Sequence, residues 1–141
     1  MFSSARRIFF TGTIVIWIIK WVLRPVYGAD PHTLFGFLLG VAPNFIGSFL
    51  IPFAASWMQT WVPGYWLTLI RVHNDVLLRR TCVFGYALVV VNECLQLIPV
   101  FGRTFDWADL LFSLLAAGLS YVVFRRWHLL LQAKAAIGRV A

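Results

Sequence analysis

The chain has 141 residues, of which 61% are apolar, 17% aromatic and only 12% charged. Soluble domains average roughly 45–50% apolar and about 25% charged residues, so this composition excludes an ordinary soluble globule. High hydrophobicity also excludes intrinsic disorder. The net charge of +7 would suggest nucleic acid in a soluble protein, but here the cations lie between apolar stretches. We therefore expect an all-α integral membrane protein that contacts membrane lipids and no nucleic acid.

Four apolar stretches predict a single domain, residues 1–141, built as a bundle of four transmembrane helices. The predicted spans cover about residues 8–23, 34–57, 81–98 and 107–124. A helix needs about 20 residues to cross the bilayer, so four spans and their loops use the whole chain. Pro43 and Pro52 interrupt the second stretch, and each removes a backbone donor and tends to bend a helix.

The distribution of Lys and Arg predicts the orientation of the spans. With the N-terminus inside, the outer side holds only Lys20, Arg24 and Arg103, and the other nine of the 12 cations fall in inner segments. This imbalance obeys the positive-inside rule for four spans, so both termini are expected in the cytoplasm. One alternative is that Arg6, Arg7 and the first apolar run form a cleavable signal peptide.

The segment between the second and third spans is rich in Trp and Tyr, which concentrate at the membrane–water boundary. Residues 65–80 are interpreted as an interfacial helix. Its lipid-facing side chains would be Leu67, Ile70, Leu77 and Leu78.

Small and polar residues at helical spacing predict close contacts inside the bundle, because small side chains let backbones approach in lipid. The packing residues predicted on the second and fourth helices are Gly36, Gly40, Asn44, Gly47, Ser113, Ala116 and Ser120. On the first helix, Thr13, Trp17, Lys20 and Arg24 lie in line, and one face of the third helix carries Gly85, Val89, Asn92, Glu93 and Gln96. We expect these stripes to face one another, and tight packing is favoured over a ligand groove.

The densest polar run, Asn92 to Asp109, is predicted at the outer end of the third and fourth helices. With Lys20 of the first helix, its candidate ligand-binding or clasp residues are Glu93, Gln96, Arg103, Asp106, Asp109 and Lys20. An ionisable group costs roughly 2.5–3.5 kcal/mol at the centre of a membrane, so Glu93 is expected to have a partner. Lys20 or the amide of Gln96 is expected for Glu93, and Arg103 for Asp106 or Asp109. A ligand site and a clasp that holds the hairpin both fit this pattern.

The sequence predicts no catalytic residue, metal or cofactor. His32, His73 and His128 are far apart and have no neighbouring Cys or His. Cys82 and Cys94 lie about 18 Å apart if they share one helix, which is too far for a disulfide. An enzyme using Glu93 and Asp109 as an acid–base pair is disfavoured, because no nucleophile motif, metal triad or phosphate loop accompanies them.

The order Glu93-x-x-Gln96, Arg103, Asp106-x-x-Asp109, leading into a helix of small residues, resembles the VanZ-like family of small bacterial membrane proteins. The stretch GVAPNFIG around Asn44 is similar to the second helix of that family. The likeness covers roughly residues 40–125. It departs at Ser113, where the family often has Asn, and at Ala116 and Ser120, where it often has Gly.

The resemblance implies a multi-pass protein of the bacterial cytoplasmic (inner) membrane. The family takes its name from a protein associated with resistance to the glycopeptide antibiotic teicoplanin, and it has no established catalytic chemistry. Two functions are therefore expected. One is non-catalytic binding of a lipid-linked or glycopeptide head group in an outward-facing polar pocket of the cell envelope. The other is a structural or accessory subunit of a larger membrane complex. A transporter is disfavoured, because four short helices without a repeat do not match the usual architecture.

Overall fold

The computed structural model describes residues 2–28, 32–59, 61–62, 72, 74–95 and 106–137, and its regular elements within them are all helical. In chain order these are α1 (Phe2–Ile18), a π-helical turn (Ile19–Leu23), α2 (Arg24–Tyr27), α3 (Leu34–Phe49), α4 (Ile51–Met58), α5 (Asp75–Leu95) and α6 (Trp107–Ile137). The predicted all-α class is confirmed for this part of the chain.

Two helical segments are long and apolar enough to cross a membrane: Ser4–Tyr27 and Trp107–Leu130, each of 24 residues. At about 1.5 Å per residue, each exceeds the roughly 30 Å of a bilayer core. A third candidate is the pair α3 and α4, which is bent by 40°. The chain is therefore a membrane protein with two or three candidate spans among its described helices.

The bend of the second predicted span lies at Leu50, between α3 and α4. Pro52 occupies the first turn of α4, where the missing N–H does least harm to the new helix but denies the preceding helix a donor. Pro43, by contrast, lies inside α3 without ending it. Of the two prolines, only Pro52 accompanies a break.

The third predicted span begins earlier than expected. Asn74 caps α5, its Oδ1 accepting a hydrogen bond from the backbone N–H of Leu77 at 2.8 Å. The helix therefore starts at Asp75, and not at residue 81. The predicted interfacial helix is wrong from residue 75 onward, because Leu78 is buried in the core and does not face lipid. Residues 65–71 and 73 of that prediction lie outside the described part of the chain.

Side-chain contacts set the relative directions of the helices. Phe9 stacks on Trp57 with ring centroids 5.4 Å apart, while Gly12 faces Leu50, so α1 runs antiparallel to the bent α3–α4 pair. The hydroxyl of Ser113 donates to the carbonyl of Asn44, and that of Ser120 to the carbonyl of Phe49. These two bonds make α6 parallel to α3–α4.

The antiparallel arrangement of α5 and α6 follows from two tyrosine hydrogen bonds. Tyr86 donates to the carbonyl of Leu110 at 3.4 Å, and Tyr121 donates to Asp75 at 2.8 Å. The bent pair is the central element, since α1 packs against α3 and α4 but not against α5 or α6 within the described residues.

This arrangement gives the bundle two chemically different ends. At one, residues near the start of α1, in α4, near the start of α5 and in the middle of α6 contribute to a core of Ala5, Phe53, Ala55, Val72, Leu78, Cys82 and Phe124. We name this the arginine end, after Arg6, Arg7, Arg79, Arg80, Arg125 and Arg126. The opposite end, named the acidic end, carries Glu93, Asp106 and Asp109.

Candidate functional site at the acidic end

Glu93 is the most deeply buried charged side chain among the described residues, with only 1% of its surface exposed. It lies two turns beyond Tyr86 on α5. Because Tyr86 bonds to Leu110 near the start of the antiparallel α6, Glu93 lies toward the end of the bundle at which α6 begins. Burial of a carboxylate is costly unless it is hydrogen-bonded or paired, and Glu93 does have an interaction partner.

The other predicted members of the cluster occupy different environments. Asp106 is exposed and caps α6, accepting a hydrogen bond from the N–H of Ala108 at 2.8 Å. Asp109 is half-buried in the first turn of α6, and Lys20 is exposed on the π-helical turn; both have interaction partners. Gln96 and Arg103 lie outside the described residues, so their predicted pairings stay predictions.

Arg24 forms a polar contact that the sequence reasoning missed. Its Nε donates to the carbonyl of Leu39 at 2.9 Å, and its Nη2 donates to the carbonyl of Gly40. Leu39 is four residues before Pro43, so it is the carbonyl that the missing proline N–H leaves without its helical donor. The guanidinium replaces that donor, which explains how Pro43 is tolerated inside α3. The sequence did contain a sign of this contact, since Pro43 lies within the second predicted span and Arg24 lies near the end of the first.

The π-helical turn helps to place this arginine. A π turn inserts an extra residue into a helix and shifts the faces that follow. Thr13 and Trp17, before the turn, and Lys20 within it are exposed, whereas Arg24 after it is partly buried against α3. The predicted stripe on the first helix is therefore wrong for its first three members, since Thr13 instead bonds to the carbonyl of Phe9 in its own helix.

The small residues predicted on the fourth helix lie where α6 meets the bent pair. Ser113, Ala116 and Ser120 are completely buried. The Ser113 and Ser120 hydroxyls donate to carbonyls of α3, at 3.5 Å for Ser113. The hydroxyl groups on this face thus donate hydrogen bonds to the backbone of α3 ahead of its bend. The small side chain of Ala116 between them lets α6 and α3 approach each other.

The glycines predicted on the second helix are used differently from one another. Gly36 is buried. A Cβ atom at Gly40 or Gly47 would have no heavy atom within 4 Å, so the predicted close approach at these two positions is wrong.

The tight contacts instead involve Gly12 of α1 and Gly85 of α5, on either side of the bend. A Cβ at Gly12 would lie 2.6 Å from Cδ1 of Leu50, and one at Gly85 would lie 2.5 Å from Cγ2 of Ile51. Gly85 belongs to the predicted inward-facing stripe of the third helix, whereas Gly12 was not singled out. The contact of both glycines with the bend follows only from tertiary structure.

A second polar cluster lies at the arginine end and was not predicted. Asp75 accepts the Tyr121 hydroxyl at 2.8 Å and pairs with Nε of Arg125 at 2.9 Å. Both charged side chains are about half exposed, at 53% and 54%, so this pair is worth about 0–1 kcal/mol. It ties the first turn of α5 to α6, beside a cavity of about 280 Å³ that His128 also lines.

The acidic end has the chemistry of a binding site. Ionised carboxylates act only as hydrogen-bond acceptors, so Glu93 and Asp109 suit the amines, hydroxyls or cations of a ligand or of a neighbouring side chain. Among the described residues, no group of three His, Cys, Asp or Glu side chains is placed to hold a metal ion.

Comparison with known proteins leaves the family assignment open. The chain matches no protein-family model, no curated protein and no solved structure.

Proposed function

We propose that the chain is a VanZ-like protein of the bacterial cell envelope that binds a lipid-linked or glycopeptide head group at the acidic end, without catalysing a reaction. The observation that carries the proposal is the burial of Glu93, which is 1% exposed within a membrane protein. Ionisable residues in membrane segments are costly and are functional-site candidates by default. Asp109, half-buried in the first turn of α6, adds a second acceptor at the same end of the bundle.

The proposal includes four membrane spans, with both termini in the cytoplasm and the acidic end outside. Its support is the alternating direction of α1, the α3–α4 pair, α5 and α6, which gathers six arginines at one end. An accumulation of Lys and Arg on one side is what the positive-inside rule expects of the cytoplasmic face. The remaining span would be the predicted third one, residues 81–98, which α5 covers as far as Leu95.

A matched pair of variants tests the binding function. Glu93→Gln removes the charge and nearly preserves the shape, whereas Asp75→Asn makes the same change at the opposite end. Both are expressed in a teicoplanin-sensitive bacterium, and growth at graded teicoplanin concentrations is compared with the amount of each protein in the membrane. We expect the wild type and Asp75→Asn to raise tolerance, and Glu93→Gln to lose this effect at an unchanged membrane level.

Two results would contradict the binding proposal. One is equal tolerance with the wild type and Glu93→Gln. The other is loss of the Glu93→Gln protein from the membrane, which would assign the carboxylate to a structural clasp. A wild type that confers no tolerance would refute glycopeptide recognition. The lipid-linked alternative is then tested with a lipid that has a pyrophosphate head group. Binding to the purified wild type but not to Glu93→Gln would support that alternative, and equal binding to both would contradict it.

A second candidate function is that of an accessory subunit of a larger membrane complex. The observation in its favour is the outer face of the first helical segment, where Trp17 and Trp21 are 59% and 68% exposed. Large aromatic side chains are enriched at protein interfaces. Isolation in a mild detergent decides between the two functions, since a stoichiometric partner supports the subunit and a solitary monomer contradicts it.

A further inference from the structure

The outer surface of the helix pair α5–α6 contains an apolar groove that lies away from the acidic end. Its volume is about 250 Å³, and its lining includes Arg79, Val83, Tyr86, Leu114, Gly118 and Tyr121. This volume is smaller than the roughly 300–1,000 Å³ of pockets that enclose drug-sized molecules. The groove therefore suits a narrow occupant such as one hydrocarbon chain. It is independent of the function proposed above.

The two ends of the groove differ in chemistry. Tyr86, which donates to the carbonyl of Leu110, lies at one end. Arg79 and Tyr121 lie at the other, next to the arginine end of the bundle. Along α6 the groove therefore runs from Leu114, near the middle of the apolar stretch, toward the charged boundary at Arg125.

Charge at the second end indicates the chemistry of the occupant. Arg79 lines the groove at that end, and the nearby acid among the described residues is Asp75. Asp75 is already engaged by Arg125 and by the Tyr121 hydroxyl. The exposed Arg79 is the cation that lines the groove itself, so a negative group is attracted to this end.

We propose that the α5–α6 groove binds one acyl chain of an anionic phospholipid, whose phosphate head group pairs with Arg79. The hydrocarbon chain gains from covering the apolar walls. Each basic residue near the surface adds about 1 kcal/mol of attraction for an anionic lipid, which corresponds to about fivefold in binding. An acyl chain joined to a negative head group satisfies both the apolar lining and the cationic end.

Gly118 offers a direct way to fill the groove. It is exposed, and a Cβ there would meet no heavy atom within 4 Å, so Gly118→Leu adds bulk in open space. Gly47 of α3 is also exposed and equally open but lies outside the groove, which makes Gly47→Leu the matched control. For the head group, Arg79→Gln is compared with Arg80→Gln, its neighbour that does not line the groove.

The experiment measures the fraction of purified full-length protein that retains one lipid, by native mass spectrometry. Phosphatidylglycerol is compared with phosphatidylcholine of identical acyl chains. We expect selective retention of phosphatidylglycerol, a loss of about tenfold in Gly118→Leu as methylene contacts are excluded, and a loss of about fivefold in Arg79→Gln. Gly47→Leu and Arg80→Gln are expected to retain lipid like the wild type.

Several outcomes overturn the proposal: no retained lipid, equal retention of the two lipids, or equal retention in Gly118→Leu and Gly47→Leu. A wild-type dimer that Gly118→Leu dissociates would assign the groove to a second copy of the chain. If Gly118→Leu fails to fold, Val83→Trp narrows the same groove from the exposed face of α5. Unchanged lipid retention in Val83→Trp would also contradict the proposal.

Discussion

At the residue scale, side chains from one helix compensate for irregularities in the backbone of another. Pro43 leaves the Leu39 carbonyl without its helical donor, and Arg24 supplies a replacement at 2.9 Å. Ser120 of α6 donates to the carbonyl of Phe49, the last residue of α3 before the bend. Such donors matter in a membrane, because no water is present to satisfy a freed backbone group.

A double-mutant cycle tests this compensation between Arg24 and Pro43. Arg24→Met removes the donor while keeping a long side chain, and we expect it to lower the free energy of unfolding by about 1–3 kcal/mol. In a Pro43→Ala background the new alanine supplies a backbone N–H that can bond to the Leu39 carbonyl, so the same change should cost less.

The measurement is equilibrium unfolding of the four proteins in mixed micelles, with Arg80→Met as a control for loss of an exposed arginine. A coupling of about 1 kcal/mol or more is expected between residues that share a partner. Additive effects would show that Arg24 does not replace the proline donor.

At the element scale, the bent pair α3–α4 organises the bundle, and two glycines accommodate its bend. Leu50 projects toward Gly12 of α1, and Ile51 projects toward Gly85 of α5. A proline break alone would leave the bend free to take many directions. Contact on both sides defines the path of the central element, and it explains why close approach occurs at these glycines and not at Gly40 or Gly47.

Alanine substitutions at four glycines test this distribution of close contacts. Gly85→Ala should lower the free energy of unfolding by about 1–3 kcal/mol through overpacking, because branched Ile51 has little freedom to move. Gly12→Ala should cost less, since the opposing atoms are the flexible end of Leu50. Gly40→Ala and Gly47→Ala should be neutral or stabilising by up to about 1 kcal/mol, because alanine favours helix over glycine.

Thermal unfolding in detergent compares the four variants under one condition, with helix content measured by circular dichroism. The same loss of stability at Gly47 as at Gly85 would contradict the assignment of close packing to the bend.

At the scale of the whole molecule, the alternating helices separate charge between two ends. Six arginines, near the starts of α1 and α5 and in the second half of α6, lie at one end, while Glu93, Asp106 and Asp109 lie at the other. The proposed head-group site and the proposed lipid groove therefore belong to opposite sides of the membrane. Changes to one should leave the other intact.

Reporter fusions test the proposed orientation. A reporter joined after Gly102 should be active outside the cytoplasm, and one joined after Ala141 should be active inside it, because the arginine end is expected to face the cytoplasm. Alkaline phosphatase and green fluorescent protein fusions at both positions provide reciprocal readouts. If the reporters at both positions are active on the same side of the membrane, the four-span proposal is contradicted.

The sequence by itself determined the properties that depend on composition and local pattern. Its apolar stretches predicted helices and a membrane environment, and Glu93 was singled out because a carboxylate in an apolar segment is chemically unusual. Ser113, Ala116 and Ser120 were recognised as one face of a helix because the helical period places them together.

Only the tertiary structure decided which helices meet and where their backbones approach. The π-helical turn shifted the face of the first segment, so Thr13 and Trp17 are exposed although Arg24 is not. A Cβ at Gly40 would point into open space, while Gly12 and Gly85 meet the bend, and Asp75 joins Tyr121, which is 46 positions away along the chain. Such contacts depend on the direction and register of packed helices, which a periodic pattern within one helix does not specify.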